Sequence, residues 1–221
     1  MDKFYGQAEQ DKFVLNILKN KTNGYFLEIG SNHPININNT YTLEKNYNWK
    51  GIMVEYSTKW LNDYKKTRPN SIHIINDATK IDYNNLFETN NVPLNIDYLQ
   101  IDLEPENGST LKTLEILDNQ VLDKYKFASI TFEHDCKKSL YHLPIVHETR
   151  IKSREILKKR GYLCVFKDIH NKEPKYVFED WYIHPNLVDM NLINNIIEKN
   201  KNKYVDNEIT SKSIDWRNIE Y

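Results

Sequence analysis

Two cysteines in 221 residues leave no room for a disulfide framework. Cys136 and Cys164 also stand too far apart for a metal-ligand spacing. They read as reduced thiols, so a cytoplasmic location is expected. Long apolar runs are missing too, and the opening MDKFYGQAEQ is polar, so neither a leader nor a membrane anchor is expected. No charge dominates: 30 Lys+Arg against 31 Asp+Glu leave a formal net charge of −1. That balance supplies no overall field for nucleic acid or membranes, and neither is expected as a partner. Glycine is scarce, six in all. This weighs against ligands that need a glycine-rich cradle.

What is present is a unit at Tyr25–Glu55. Tyr25-Phe26-Leu27-Glu28-Ile29 is a short apolar run, followed at once by Gly30 and the polar turn Ser31-Asn32-His33-Pro34. Helical spacing follows, with Ile37, Tyr41 and Tyr47 on one side and Leu43 near it. Gly51 is expected to close that helix, and Ile52-Met53-Val54 forms a second apolar run ending in Glu55. Strand, glycine turn, helix, strand and acid suit a nucleoside ligand. Glycine lets the backbone come close, and the acid can accept hydrogen bonds from both ribose hydroxyls. A dinucleotide would want G-x-G-x-x-G, and this turn has one glycine. A ligand without phosphates, such as S-adenosylmethionine, suits it better. A plain βαβ unit with no ligand has the same spacing.

Around this unit the chain alternates strands and helices. Residues 1–24 carry an amphipathic helix, Glu9–Leu18, that covers the sheet with Phe13, Val14, Ile17 and Leu18; the polar residues Gln7, Gln10 and Asp11 are not expected to touch a ligand. Ser57 is a good N-cap for the next helix, which ends before Pro69. A third strand, 71–76, leads to Asp77-Ala78, where Asp77 either meets a ligand or caps a turn. The fourth strand, 96–102, ends in Asp102 with Glu104 beyond, at the strand mouth where doubly wound sheets bind ligands. The fifth, 125–132, runs into Glu133-His134-Asp135, groups that are costly to bury unless paired or open to a cleft. Glu148–Arg160 reads as a helix with Ile151, Ile156 and Leu157 inward and Lys152, Arg154, Lys158, Lys159 and Arg160 mostly solvated. Gly161 is its expected cap. Two strands, 162–168 and 176–182, read as an antiparallel pair at the sheet edge. A helix at 190–199 and a polar tail, 200–221, complete a single domain over 1–221.

The strings LEIGSNHP, NNTYTLEKNYNWKGIMVE, GQAEQDKFVL, DYLQIDLEPENG, the Glu133-His134-Asp135 motif and FEDWYIHP resemble the FkbM-type methyltransferases, a branch of the class I S-adenosylmethionine-dependent fold. The resemblance runs from about Gly6 to Met190. His33-Pro34 stands where the family has Asp-Gly, and Tyr56-Ser57 replaces the proline after the acid. The resemblance implies a doubly wound, mostly parallel α/β sheet of seven strands with an antiparallel C-terminal edge. It implies S-adenosylmethionine as cofactor, held by Glu28, Gly30, Ser31, Asn32, Asn39, Thr40, Glu55, Asp77, Ala78 and Asp102, with Asp77 towards the adenine. O-methylation of a sugar or glycan hydroxyl is then expected. His134 is the expected general base, oriented by Asp102, with Glu133 as the alternative. Glu179, Asp180 and Trp181 either line the acceptor pocket or lock the C-terminal edge. Two other readings stay open. One is assistance by Mg²⁺ or Mn²⁺ between Asp102 and the Glu133–Asp135 segment, which is not favoured because histidine is an uncommon ligand for Mg²⁺. The other is a non-catalytic nucleotide-binding domain of the same fold.

Overall fold

Five strands lie parallel in the order β3-β2-β1-β4-β5: β1 (Tyr25–Ile29), β2 (Lys50–Glu55), β3 (Ile72–Ile75), β4 (Asn95–Ile101) and β5 (Lys126–Glu133). β1 is buried at every position, which is why it reads as a continuous apolar run with no alternation. The strand order reverses between β1 and β4, the switch point at which such sheets open a crevice. This computed structural model describes residues 3–221; Met1 and Asp2, the start of the expected N-terminal cover, lie outside the described residues.

Helices cover both faces. α4 (Tyr83–Thr89), α5 (Ser109–Gln120) and α6 (Pro144–Lys159) pack Phe87, Leu114, Leu117 and Leu157 on one side, against Leu27, Ile29 and Leu99. On the other side α1 (Gln10–Ile17), α2 (Tyr41–Tyr47), α3 (Leu61–Thr67) and α7 (Met190–Asn200) pack Phe13, Leu43, Tyr64 and Ile193 against Phe26, Tyr98 and Trp181. Among the described residues no helix is long and apolar enough to cross a membrane.

Among the described residues the sheet has nine strands, not the expected seven. β7 (Val177–Ile183) inserts antiparallel between β5 and β6 (Leu163–His170). β6 is not an edge either. β9 (Ser211–Asp215) joins it in parallel through Ile169 and Ile214, and β8 (Val205–Asn207) pairs with β9. The tail orders because Ile214 is wholly buried in the cluster that holds Ile169 and Trp181.

Three local expectations change. Ile37 is exposed with φ 55, and the helix begins only at Tyr41, because Asn38 and Thr40 are drawn into hydrogen bonds with the Arg68 side chain. Asn48, also left-handed at φ 55, ends that helix; Gly51 lies inside β2, where a Cβ would overlap Phe26. In α6 the register differs from the apolar reading. Ile151 is 53% exposed, while Arg150 and Arg154 turn towards the carboxylates of Asp168 and Asp180. Two carboxylates buried without a cation would cost more than exposing one isoleucine. Gly161 does close α6, left-handed at φ 86, its N–H donating to Lys158 O.

Candidate functional site

A cavity of about 930 Å³ runs across the C-terminal mouths of the five parallel strands. Asn76–Thr79 line it beyond β3, Val54–Tyr56 at β2, and Gly30 and Asn32 beyond β1. Asp102–Pro105 follow beyond β4, then Glu133 and Asp135 at β5; Gln7 reaches in from before α1. Gly30 is required where it stands. Its φ is +87°, a Cβ there would overlap the Asp102 carbonyl oxygen, and its N–H donates to Val54 O at 2.9 Å.

At β2 the half-buried Glu55 carboxylate accepts from Asn32 N through one oxygen and from Ser57 N through the other, each at 2.8 Å. Those bonds orient it on the glycine turn, and a carboxylate has lone pairs left for two more donors. At β3, Asp77 caps the turn Ala78–Lys80, accepting from Thr79 N at 2.9 Å and Thr79 Oγ1 at 2.7 Å. The Thr79 bonds hold its carboxyl below the ordinary range. Asp77 therefore caps a turn and lines the cavity at once.

At the far end Asp102 and Glu133 follow register partners Ile101 and Phe132 on neighbouring parallel strands, so their carboxyls face one another. Burial raises both acids, and the bond between them lowers Asp102 while raising Glu133. Two like charges this close favour a shared proton, with Glu133 the protonated member. Asp135 joins them on the cavity wall, paired to Lys137 Nζ at 2.7 Å.

Of the expected cofactor residues, Gly30, Asn32, Glu55, Asp77, Ala78 and Asp102 line the cavity. Glu28, Ser31, Asn39 and Thr40 do not; they are buried behind it. A residue that sequence reasoning passed over ties three of them, Glu28, Ser31 and Thr40, together. Arg68, wholly buried, donates to Glu44 Oε2, Asn38 Oδ1, Thr40 Oγ1 and Pro34 O, at 2.8, 2.8, 2.6 and 3.3 Å. Asn38 in turn donates to Glu28 Oε2 and to Ser31 O, both at 3.1 Å. Burial raises the Glu28 carboxyl against the opposing charge of Arg68. The signal was available: Arg68 is the first arginine in a chain that until then uses only lysine, and a buried fork of donors is arginine chemistry.

His134 lies apart from the cavity. Its side chain is fully buried, with Nε2 3.5 Å from Asp180 Oδ1 and 3.8 Å from Asp168 Oδ1, on the far side from Glu133. It does not line the cavity, whereas its neighbours Glu133 and Asp135 do. Asp180 is turned away likewise, while Glu179 accepts from Gln10 Nε2 at 2.8 Å. Trp181 is core, stacked on Phe13.

No protein-family profile and no curated protein sequence matches the chain. Among solved structures, a candidate O-methyltransferase from Klebsiella pneumoniae aligns over 80% of this chain and 80% of its own, with a TM-score of 0.56 and 11% identity. The chain has the class I methyltransferase fold. Two further likenesses are looser. A TehB-like S-adenosylmethionine-dependent methyltransferase from Corynebacterium glutamicum covers 83% of this chain and 89% of its own at TM-score 0.47 and 7% identity. Fibrillarin from Aeropyrum pernix, solved with natively bound S-adenosylmethionine, covers 78% and 74% at TM-score 0.46 and 15% identity. Within this methyltransferase fold, β8 and β9 extend the sheet past the edge the sequence suggested.

Proposed function

We propose that this chain is an S-adenosylmethionine-dependent O-methyltransferase whose acceptor is the hydroxyl of a sugar or glycan, the acceptor class that the FkbM resemblance implies. The observation that carries the reading is the order of groups along one cavity: Asp77-Ala78, Glu55, Gly30, then Asp102 with Glu133. That order fits adenine, ribose, methionine and methyl acceptor in turn. Gly30 leaves the backbone bare where a Cβ would fill the cradle, and Glu55 presents an oriented carboxylate to two hydroxyls. S-adenosylmethionine held there by Asp77, Glu55 and Gly30 would supply a methyl group on a positively charged sulfur, which would keep the bonding electron pair when the acceptor oxygen takes the methyl. Asp102, the ionised member of the carboxyl pair, takes the hydroxyl proton. Burial helps, because a carboxylate raised above its ordinary range is a better proton acceptor.

Calorimetry with S-adenosylhomocysteine, followed by a product assay over free sugars and oligosaccharides, tests the reading. Binding and methyl transfer to a hydroxyl are expected, and a pocket silent to S-adenosylhomocysteine would overturn it. Chelation with EDTA is expected to leave transfer unchanged. Loss with EDTA and full rescue by Mg²⁺ or Mn²⁺ would instead make the reaction metal-assisted.

A further inference from the structure

We propose that His134 is a positioning residue: anchored to Asp180 behind the sheet, it holds Glu133 opposite Asp102 and turns Asp135 into the cavity. The inference rests on the methyltransferase reading for its purpose, since it concerns the carboxyls assigned there to proton transfer.

Backbone geometry sets up the anchor. The pairing of β5 with β7 ends at Glu133 and Glu179. Immediately beyond, two successive amides, His134 N and Asp135 N, converge on one acceptor, Phe178 O, at 2.7 and 2.8 Å. That convergence bends the chain, and Asp135 adopts φ 50, a left-handed conformation that Asp tolerates better than most residues. No helix or strand follows until Pro144. The side chains flanking His134 therefore line the cavity from a segment that has just left its strand.

The ring supplies the pin. His134 Nδ1 accepts from Cys136 N at 3.2 Å, which puts the ring proton on Nε2. Nε2–H faces the carboxylates of Asp180 at 3.5 Å and Asp168 at 3.8 Å, an electrostatic approach with no hydrogen bond closed, and those carboxylates are themselves fixed by α6. Arg150 Nε and Nη2 donate to Asp168 at 2.7 Å each, and Arg154 bridges Asp168 and Asp180 at 2.7–2.8 Å. Although burial favours its neutral form, the facing His134 ring and Arg154 hold the Asp180 carboxyl well below the usual carboxylate range. The trio His134, Asp168 and Asp180 has ligand atoms within 4.8 Å of one another, yet a cation there would meet two guanidinium groups already seated on both carboxylates. The cluster is a structural anchor rather than a metal centre. Read this way, the two acid-rich strings of the sequence form one clamp. Glu133 lines the cavity with Glu179 as its register partner on β7, and His134 and Asp180 lie together on the other side of the pair.

The test follows the Asp102 and Glu133 carboxyls by ¹³C NMR across pH in the full-length protein. In the wild type two separated steps are expected, because the two carboxyls face one another from neighbouring strands. His134→Gln retains a donor where Nε2 stands and is expected to keep that separation. His134→Asn retains only an acceptor for Cys136 N–H, and its two steps are expected to collapse towards ordinary carboxylate behaviour. Wild-type separation in His134→Asn, or collapse in His134→Gln, would overturn the proposal. Should His134→Asn not fold, Asp180→Asn, which removes the charge facing Nε2, is expected to give the same collapse, and wild-type separation there would overturn the proposal. Binding of S-adenosylhomocysteine to the wild type is measured on the same samples. A silent pocket there defeats the methyltransferase reading and leaves the carboxyl titration to judge the clamp.

Discussion

Glu55 is a single carboxylate on which the proposed cofactor recognition depends. Its charge-assisted bonds to two hydroxyls are worth about 1.5–3 kcal/mol, so Glu55→Ala is expected to weaken S-adenosylhomocysteine binding roughly 10–100-fold while the protein stays folded. An unchanged dissociation constant by calorimetry would remove Glu55 from the site. Asp11 makes a different residue-scale prediction. It is wholly buried, accepts from Thr42 Oγ1 and Tyr5 N, and burial still pushes its carboxyl from 3.8 up to about 6. The folded state thus binds a proton more tightly than the unfolded chain does. Its contribution is greatest below about pH 3.8 and is lost as pH rises to about 6. The loss is on the order of 3 kcal/mol for a two-unit shift. Asp11→Asn, which cannot ionise, should gain on the wild type across that window in urea unfolding, and a pH-independent difference would refute the shift.

Between elements, Arg68 joins the end of α3 to the loop before α2 and, through Asn38, to β1. Removing one partner of a buried ion pair costs about 3–5 kcal/mol, because the other charge is left uncompensated. Arg68→Met strands Glu44, whose carboxylate also accepts from Asn70 N and Ser71 Oγ. The midpoint of denaturant unfolding should fall accordingly, and Arg68→Lys should recover little, since an ammonium cannot copy the guanidinium fork. A full rescue by lysine would show that charge alone matters here. At this scale sequence reading was uneven. Helices with a strong apolar stripe, such as α1 with Phe13, Val14 and Ile17, are where the spacing put them. Ile37 and Ile151 were misassigned because nearby polar side chains outbid an apolar residue for the interior. Periodicity counts apolar residues and is blind to buried arginines.

For the whole molecule, the C-terminal tail carries the last structural prediction. β9 covers β6, and Ile214 is fully buried against the core. A chain cut after Lys203 would expose the β6 edge as an open template for pairing, and lower thermal stability with aggregation is expected by calorimetry and light scattering. Ile214→Ala in the full chain should cost about 2–5 kcal/mol; a cost near zero would mean the tail adds no core. The positions of the buried strands, the glycine turn, Glu55 and the acids at the mouths of β4 and β5 were legible in the sequence. Each depends on local chemistry: a buried strand must be apolar, a left-handed turn in close contact wants glycine, and strand mouths collect acids. The nine-strand extent of the sheet, the Arg68 network and the direction of His134 were not legible. They depend on which distant groups meet. Alternation along β5 implied that Glu133 and His134 leave on opposite faces, but only the packing of β7 and α6 decided which face held the cavity and which held Asp180, Arg150 and Arg154.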